Sequence, residues 1–214
     1  MNNLVGIDVS KHNGLIDWCK VSSQIDFAII KAGYWTNIDP KAERNIFYCE
    51  RYNIPFGLYW FSYAGCEKDA IKEATTLLDF IGNRKIPLPL YFDFEYESDE
   101  YLKKNGIHLT NEQRTNIAKA FCSTIEESEF YAGIYANLDY VNNYFDKSIF
   151  KRYDLWLASW SKSLPLDVNM WQFTNKGNIA GIKGDVDMNM LYTDIRKAIK
   201  SRGLNNFNKK FAFE

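Results

Sequence analysis

The sequence predicts an α/β fold in which five βα units are followed by three strands, the whole closed into a barrel. Three observations predict it. Short, nearly continuous apolar runs alternate with amphipathic stretches along most of the chain. After residue 155 the helical periodicity stops while strand-like runs continue. Eight such runs are present, and 214 residues are fewer than the ~250 of a regular eightfold barrel, as missing helices require.

The first five runs are Leu4–Val9, Asp26–Ala32, Pro55–Phe61, Leu88–Glu95 and Tyr131–Ala136, and Leu155–Ser159, Asn169–Phe173 and Val186–Leu191 supply three more. Unbroken apolar runs suit strands covered on both faces, as in a parallel sheet. Helical stretches lie between them at Ile16–Ser23, Ala42–Tyr52 and Glu67–Ile81, the last with Ala70, Ala74, Leu77 and Ile81 on one stripe. Thr110 followed by Gln113 has the form of a capping box opening a helix through Ile125. A weaker helix is read over Asp139–Phe150, and a closing one over Asp194–Ser201 stops at Gly203. An open doubly wound sheet is the alternative, but no G-x-G-x-x-G or Walker glycine pattern follows any strand. The barrel is therefore expected over residues 1–203, with 204–214 as a tail or linker.

Composition narrows the function. With 46% hydrophobic and 25% charged residues, the chain has enough apolar surface to bury a core rather than remain disordered. Lys and Arg number 26 against 27 Asp and Glu, so there is no net basic field of the kind a nucleic-acid binder carries. No apolar run reaches the ~18 residues of a membrane span, and no membrane insertion is expected. The N-terminus lacks the basic and apolar regions of a secretory signal, so synthesis in the cytoplasm is expected. Cys19, Cys49, Cys66 and Cys122 show no metal-ligand spacing, and His12 and His108 are the two histidines. Free thiols, no metal, no cofactor and a monomer are the expectations. Six Trp, fourteen Tyr and fifteen Phe suit a well-filled core, and the alternative reading is that some line a groove for a ligand with flat apolar faces, such as a sugar chain.

Acids mark the C-terminal ends of the proposed strands, where barrel active sites lie. Asp8 is near the end of the first, Asp93 and Glu95 end the fourth, and Asp187 lies in the last. Two residues apart on a strand, Asp93 and Glu95 leave one face, while Phe92 and Phe94 point to the helix-covered face. An apolar strand has no packing reason to give one face to two carboxyls, because unpaired buried charge costs several kcal/mol. Asp8 could equally bond a neighbouring turn, and Asp187, close to Asp185, could be a turn residue. Crowded carboxyls cannot all ionise at their ordinary pKa, which supplies a general acid without histidine. The acids suit glycoside hydrolysis, or alternatively a cage for a hard divalent cation.

The motifs Val5-Gly-Ile-Asp-Val-Ser10, Asp17-Trp18, Phe27-Ala-Ile-Ile-Lys-Ala-Gly33, Gly57-Leu-Tyr-Trp-Phe61, Asp93-Phe-Glu95, Leu155-Trp-Leu-Ala-Ser159, Trp171-Gln172 and Gly184-Asp-Val-Asp-Met-Asn189 occur in this order. Together they resemble glycoside hydrolase family 25, the Chalaropsis-type lysozymes or N-acetylmuramidases, phage endolysins among them. The resemblance covers residues 4 to about 191. It implies an irregular TIM-like (β/α)5(β)3 barrel that hydrolyses the β-1,4 bond between N-acetylmuramic acid and N-acetylglucosamine. Glu95 is then the general acid, and Asp93 its stabilising partner or the group that orients the substrate acetamido. Asp8, Asp187, Tyr59, Trp160 and Gln172 would bind substrate, with Tyr34, Lys31 and Tyr135 as further candidates. Trp60 stands where the family often has His, and Trp160 where it often has Tyr. The implied partner is the glycan of the bacterial wall, reached after release through a separate pore. Spacing alone leaves retaining, inverting and substrate-assisted routes open, the last favoured by the 2-acetamido group. A catalytically silent wall-binding barrel and a metal-dependent hydrolase are the competing functions.

Overall fold

The computed structural model describes residues 3–208. Along these the chain forms β1 (Leu4–Val9), α1 (Trp18–Val21), β2 (Phe27–Tyr34), β3 (Asn37–Ile38), α2 (Ala42–Arg51), β4 (Phe56–Phe61), α3 (Glu67–Ile81), β5 (Leu90–Asp93) and α4 (Tyr96–Lys104). It continues through α5 (Asn111–Glu127), β6 (Ala132–Asn137), α6 (Leu138–Asn143), α7 (Ile149–Arg152), β7 (Asp154–Ala158), β8 (Met170–Gly177), β9 (Val186–Leu191) and α8 (Ile195–Ser201).

Eight strands close into a ring, because β1 pairs with β9 on one side and with β2 on the other. Neighbours are parallel except at β9, which runs antiparallel to both β8 and β1. The short β3 is an antiparallel appendage of β2. The architecture is thus the irregular TIM-like barrel read from the sequence, and the open sheet is excluded.

Helix α3 keeps its expected limits, with Glu67 and Asp69 in its first turn and Gly82 at positive φ behind it. Helix α5 opens on the expected box: Gln113 N–H donates to Thr110 Oγ1 at 3.2 Å, and Thr110 N–H to Gln113 Oε1 at 2.8 Å. Three local readings are corrected. The stretch 139–150 is two short helices, because Asp146 turns the chain by accepting the Ser148 N–H at 2.9 Å. The fourth strand ends at Asp93, and Glu95 is instead the N-cap of α4, a helix the sequence reading did not assign. There Ser98 Oγ accepts the Glu95 N–H at 3.2 Å, and acids in the first turn with lysines in the last match the helix dipole. Lastly, the chain stays packed beyond residue 203. Asn205 Nδ2 donates to the carbonyls of Ile86 and Leu88, both at 2.9 Å, and its Oδ1 accepts the Tyr131 N–H at 2.7 Å. Those carbonyls lie in the turn entering β5, so Asn205 satisfies groups that no strand partner reaches. The rest of the segment read as a tail, 209–214, lies outside the described residues.

Two apolar layers hold the barrel. Phe92, Phe94 and Phe121 belong to the outer layer between strands and helices, as expected for the first two. Phe27, Ile29, Tyr91, Trp156, Met170 and Leu191 fill the inside, sealed at the N-terminal end by Ile195, Ile199, Leu204 and Phe207. The inner rings fit because glycines stand opposite them. A Cβ on Gly6 would lie 2.6 Å from the Phe27 ring, and one on Gly133 2.5 Å from Tyr91 Cε1. Gly133→Ala is therefore expected to destabilise the chain by about 1–3 kcal/mol in urea unfolding. A loss under ~0.5 kcal/mol would show that Tyr91 moves aside freely.

Candidate active site

With the N-terminal end sealed, the C-terminal ends of the parallel strands carry an open cleft of ≈ 520 Å³. Register brings its residues together. Phe61 pairs with Asp93, Asp93 with Tyr135, Tyr135 with Trp156 and Asp8 with Asp187. Of the ten expected site residues, nine line the cleft: Asp8, Lys31, Tyr59, Asp93, Glu95, Tyr135, Trp160, Gln172 and Asp187. Tyr34 does not line it, but its ring lies beside the site, 4.9 Å from Lys11 Nζ and 5.8 Å from Lys31 Nζ.

Trp156 forms the floor. Its ring contacts those of Tyr135, Tyr91 and Tyr59 at centroid distances of 4.6, 5.2 and 6.0 Å. Its Nε1 donates to Asn189 Oδ1 at 2.8 Å, and Asn189 Nδ2 donates to Asp8 Oδ2 at 2.8 Å. Gln172 Nε2 gives Asp8 Oδ2 a second bond at 2.9 Å. Gln172 Oε1 in turn accepts from the Tyr135 hydroxyl at 3.3 Å and from Trp160 Nε1 at 3.4 Å. Trp160 is otherwise 61% exposed, which leaves its ring free at the rim.

Burial over this apolar floor sets the charges. It pushes Asp8 up to about 8, with Asp187 adding to the rise and the amides of Asn189 and Gln172 opposing it. Since both amides occupy Oδ2, the proton of neutral Asp8 belongs on Oδ1. Asp93 is raised well above the usual carboxylate range by burial and by Glu95, with Lys31 pulling the other way. Burial also raises Glu95, opposed by a hydrogen bond from Tyr135, and Glu97 raises it further. Asp187 rises through burial. The one amine among them, Lys31, is lowered by burial despite Asp93 and Asp39 nearby. Its Nζ sits 4.3 Å from the Phe61 ring centroid and 5.6 Å from that of Tyr59. The site therefore holds several carboxyls of raised pKa, and Asp93 Oδ1 is buried without a hydrogen-bond partner.

The sequence reading missed Asn189 and Trp156, which hold Asp8 from the last and seventh strands, and Phe61, Glu97, Asp185, His12, Asn13, Ser10 and Asn175, which line the cleft. The alternation of β9 carried a signal for Asn189, since it shares a face with Asp187 two residues before it. Nothing local marks the others, which are spread over β4, α4, β8 and the segments that follow β1 and precede β9.

A closed barrel whose C-terminal mouth gathers carboxyls of raised pKa over an aromatic floor is the framework of a glycoside hydrolase. The chain belongs to glycosyl hydrolases family 25, whose profile matches residues 7–182. Among solved structures, the modular autolysin LytC from Streptococcus pneumoniae, in complex with a synthetic peptidoglycan ligand, is similar with 26% identity and a TM-score of 0.81 over 89% of this chain. The chain spans 47% of LytC. The bacterial lysozyme from Streptomyces coelicolor shares the fold at 23% identity and a TM-score of 0.78, covering 96% of this chain and 98% of its own. A family 25 glycosyl hydrolase from Bacillus anthracis does so at 22% identity and a TM-score of 0.75, with 92% of each chain covered. A comparison with curated protein sequences finds no match.

Asp8 gives a stability signature. Its folded pKa lies above the unfolded value, so folding retains a proton that the unfolded chain releases, and stability falls as pH rises from about 4 to about 8. Asp8→Asn is expected to make Tm less dependent on pH in that window, by up to about 1.4 kcal/mol per pH unit for a single group. An unchanged pH dependence in the variant would show that Asp8 is ionised in the folded chain.

Proposed function

We propose that this chain hydrolyses the β-1,4 bond between N-acetylmuramic acid and N-acetylglucosamine in peptidoglycan, with Glu95 as general acid and then base. Asp93 orients the acetamido group of the substrate. The observation that carries this reading is the unpartnered, buried Asp93 Oδ1. An acceptor left unsatisfied costs about 1–3 kcal/mol, and an amide N–H arriving with substrate removes that cost. Family membership and the likeness to LytC support peptidoglycan as the substrate class.

In the proposed reaction the acetamido oxygen attacks the anomeric carbon while Glu95 delivers its proton to the departing glycosidic oxygen. Positive charge develops on the acetamido nitrogen, whose N–H points at Asp93. That charge favours the carboxylate form of Asp93, while burial favours the proton on Glu95 at the moment it is needed. Water then opens the cyclic intermediate and gives its proton to Glu95, which restores the starting state. Trp160 offers a ring face to a sugar, and Asp8, Asp187 and Gln172 line the base of the groove.

Glu95→Gln is expected to lower kcat on peptidoglycan by about 10²–10⁴-fold while leaving Tm no lower, since the variant removes a partly buried titrating group. Normal clearing of a wall suspension by that variant would remove Glu95 from the mechanism. In the unmodified chain kcat should fall as pH rises through the raised pKa of Glu95, because the acid is then lost. Mass spectrometry should find muramic acid at the new reducing ends, and EDTA should leave the rate unchanged. No released fragments would favour a silent wall-binding barrel, and loss of activity with EDTA a metal-dependent hydrolase.

A further inference from the structure

We propose that Tyr63 and Tyr101 form a sugar-binding ledge that extends the cleft and holds the glycan strand beyond the residues being cleaved. This rests on the hydrolase reading and adds a subsite to it. Around the barrel, β4, β5, β6 and β7 are successive neighbours. Trp160 follows β7, Tyr135 lies in β6, Glu95 follows β5 and Tyr63 follows β4. A strand laid on Trp160 and across Glu95 therefore leads towards Tyr63.

The aromatic surface continues without a break in that direction. Phe61, which lines the cleft, meets Tyr63 at a centroid distance of 5.2 Å, and Tyr63 meets Tyr101 of α4 at 4.7 Å. The second contact is edge to face, which leaves ring surface uncovered, and Tyr101 is 49% exposed. Phe61, two residues before Tyr63, pairs with Asp93 across β4 and β5, which places the ledge beside the reacting groups. Glu97, itself on the cleft wall, offers acceptors for sugar hydroxyls. Such a pairing of ring faces with carboxylate oxygens matches the apolar faces and hydroxyl edges of a pyranose.

The ledge is also held in place. The Tyr63 N–H donates to Glu73 Oε1 at 2.9 Å, and the Ser62 N–H donates to the Asp93 carbonyl at 2.8 Å. Glu73 is fully buried in α3, an expensive position for a carboxyl, and the backbone it grips is that of the ledge. A mobile loop would gain little from stacking, whereas a fixed ring has no ordering cost on binding.

The test uses glycan strands stripped of peptide and sorted by length. The unmodified chain is expected to show a higher kcat/KM on strands of several disaccharides than on the shortest strand it cleaves. Tyr101→Ala should lower kcat/KM on long strands about three- to tenfold, with the shortest substrate within about twofold of the unmodified chain, and Tyr101→Trp should restore the difference. Equal losses at both lengths, or none at either, would overturn the ledge. A loss seen only on strands that still carry peptide would assign Tyr101 to the stem and overturn the glycan assignment. Should the unmodified chain release no fragments, the hydrolase reading itself fails and the ledge with it, an outcome distinct from cleavage without length dependence.

Discussion

The hydrogen bonds that converge on Asp8 Oδ2 are the constraint on which the site depends. Asn189 and Gln172 supply them from β9 and β8, and Trp156 and Tyr135 support those two amides from β7 and β6. One carboxyl oxygen thus joins five consecutive strands of the ring at their cleft-facing level. Burying a carboxyl costs several kcal/mol, and two amide donors offset only part of that cost. The remainder is relieved by keeping a proton on the other oxygen, which is why Asp8 titrates near neutrality. Barrel closure and the protonation state of the site are in this sense one problem with one solution.

The same packing that closes the ring makes the acids unusual. Glycines at 6 and 133 let the Phe27 and Tyr91 rings fill the interior up to the level of Trp156. Water is excluded from below, and the carboxyls above lose hydration on their inner side. Asp93, Glu95 and Asp187 are all raised with burial as the largest cause, and their mutual repulsion is the smaller effect. A substitution that loosened the floor would therefore lower these pKa values without touching a carboxyl. Lys31 does not cancel the effect, since it is itself depressed by burial and rests among aromatic rings.

Much of this was legible from the sequence because it depends on period and type. The five alternating units, the three closing strands and the capping box at Thr110 follow from local pattern, and the paired acids of Asp93-Phe-Glu95 from their conflict with it. The two acids do face one cleft, yet for a different reason than strand alternation. The strand stops at Asp93, and Glu95 arrives as the cap of a helix whose short, charged sequence hides its amphipathic face. Asn189 and Trp156 escaped notice because a buried asparagine and a buried tryptophan are ordinary in a core, and their partnership spans 33 residues. The packed turn at Asn205 and Asn206 was read as a tail for the same reason: both adopt positive φ and reach carbonyls more than a hundred residues away.

Tyr135 shows how far these parts act together. Its hydroxyl donates to Gln172 Oε1 at 3.3 Å and also reaches Glu95, whose pKa it lowers, but it has one proton to give. When Glu95 is ionised, the stronger acceptor takes that proton, because a charged acceptor makes roughly twice as strong a bond as a neutral one. When Glu95 is protonated it becomes the donor, and the Tyr135 proton returns to Gln172. Each protonation of Glu95 thus reverses the direction of a bond that leads through Gln172 to Asp8. A phenol whose own pKa is driven well above its usual value by burial cannot lose that proton, so it can turn between partners without itself becoming a base. The exchange needs no displacement of the backbone, only rotation of one O–H, which is the cheapest motion a packed barrel mouth allows.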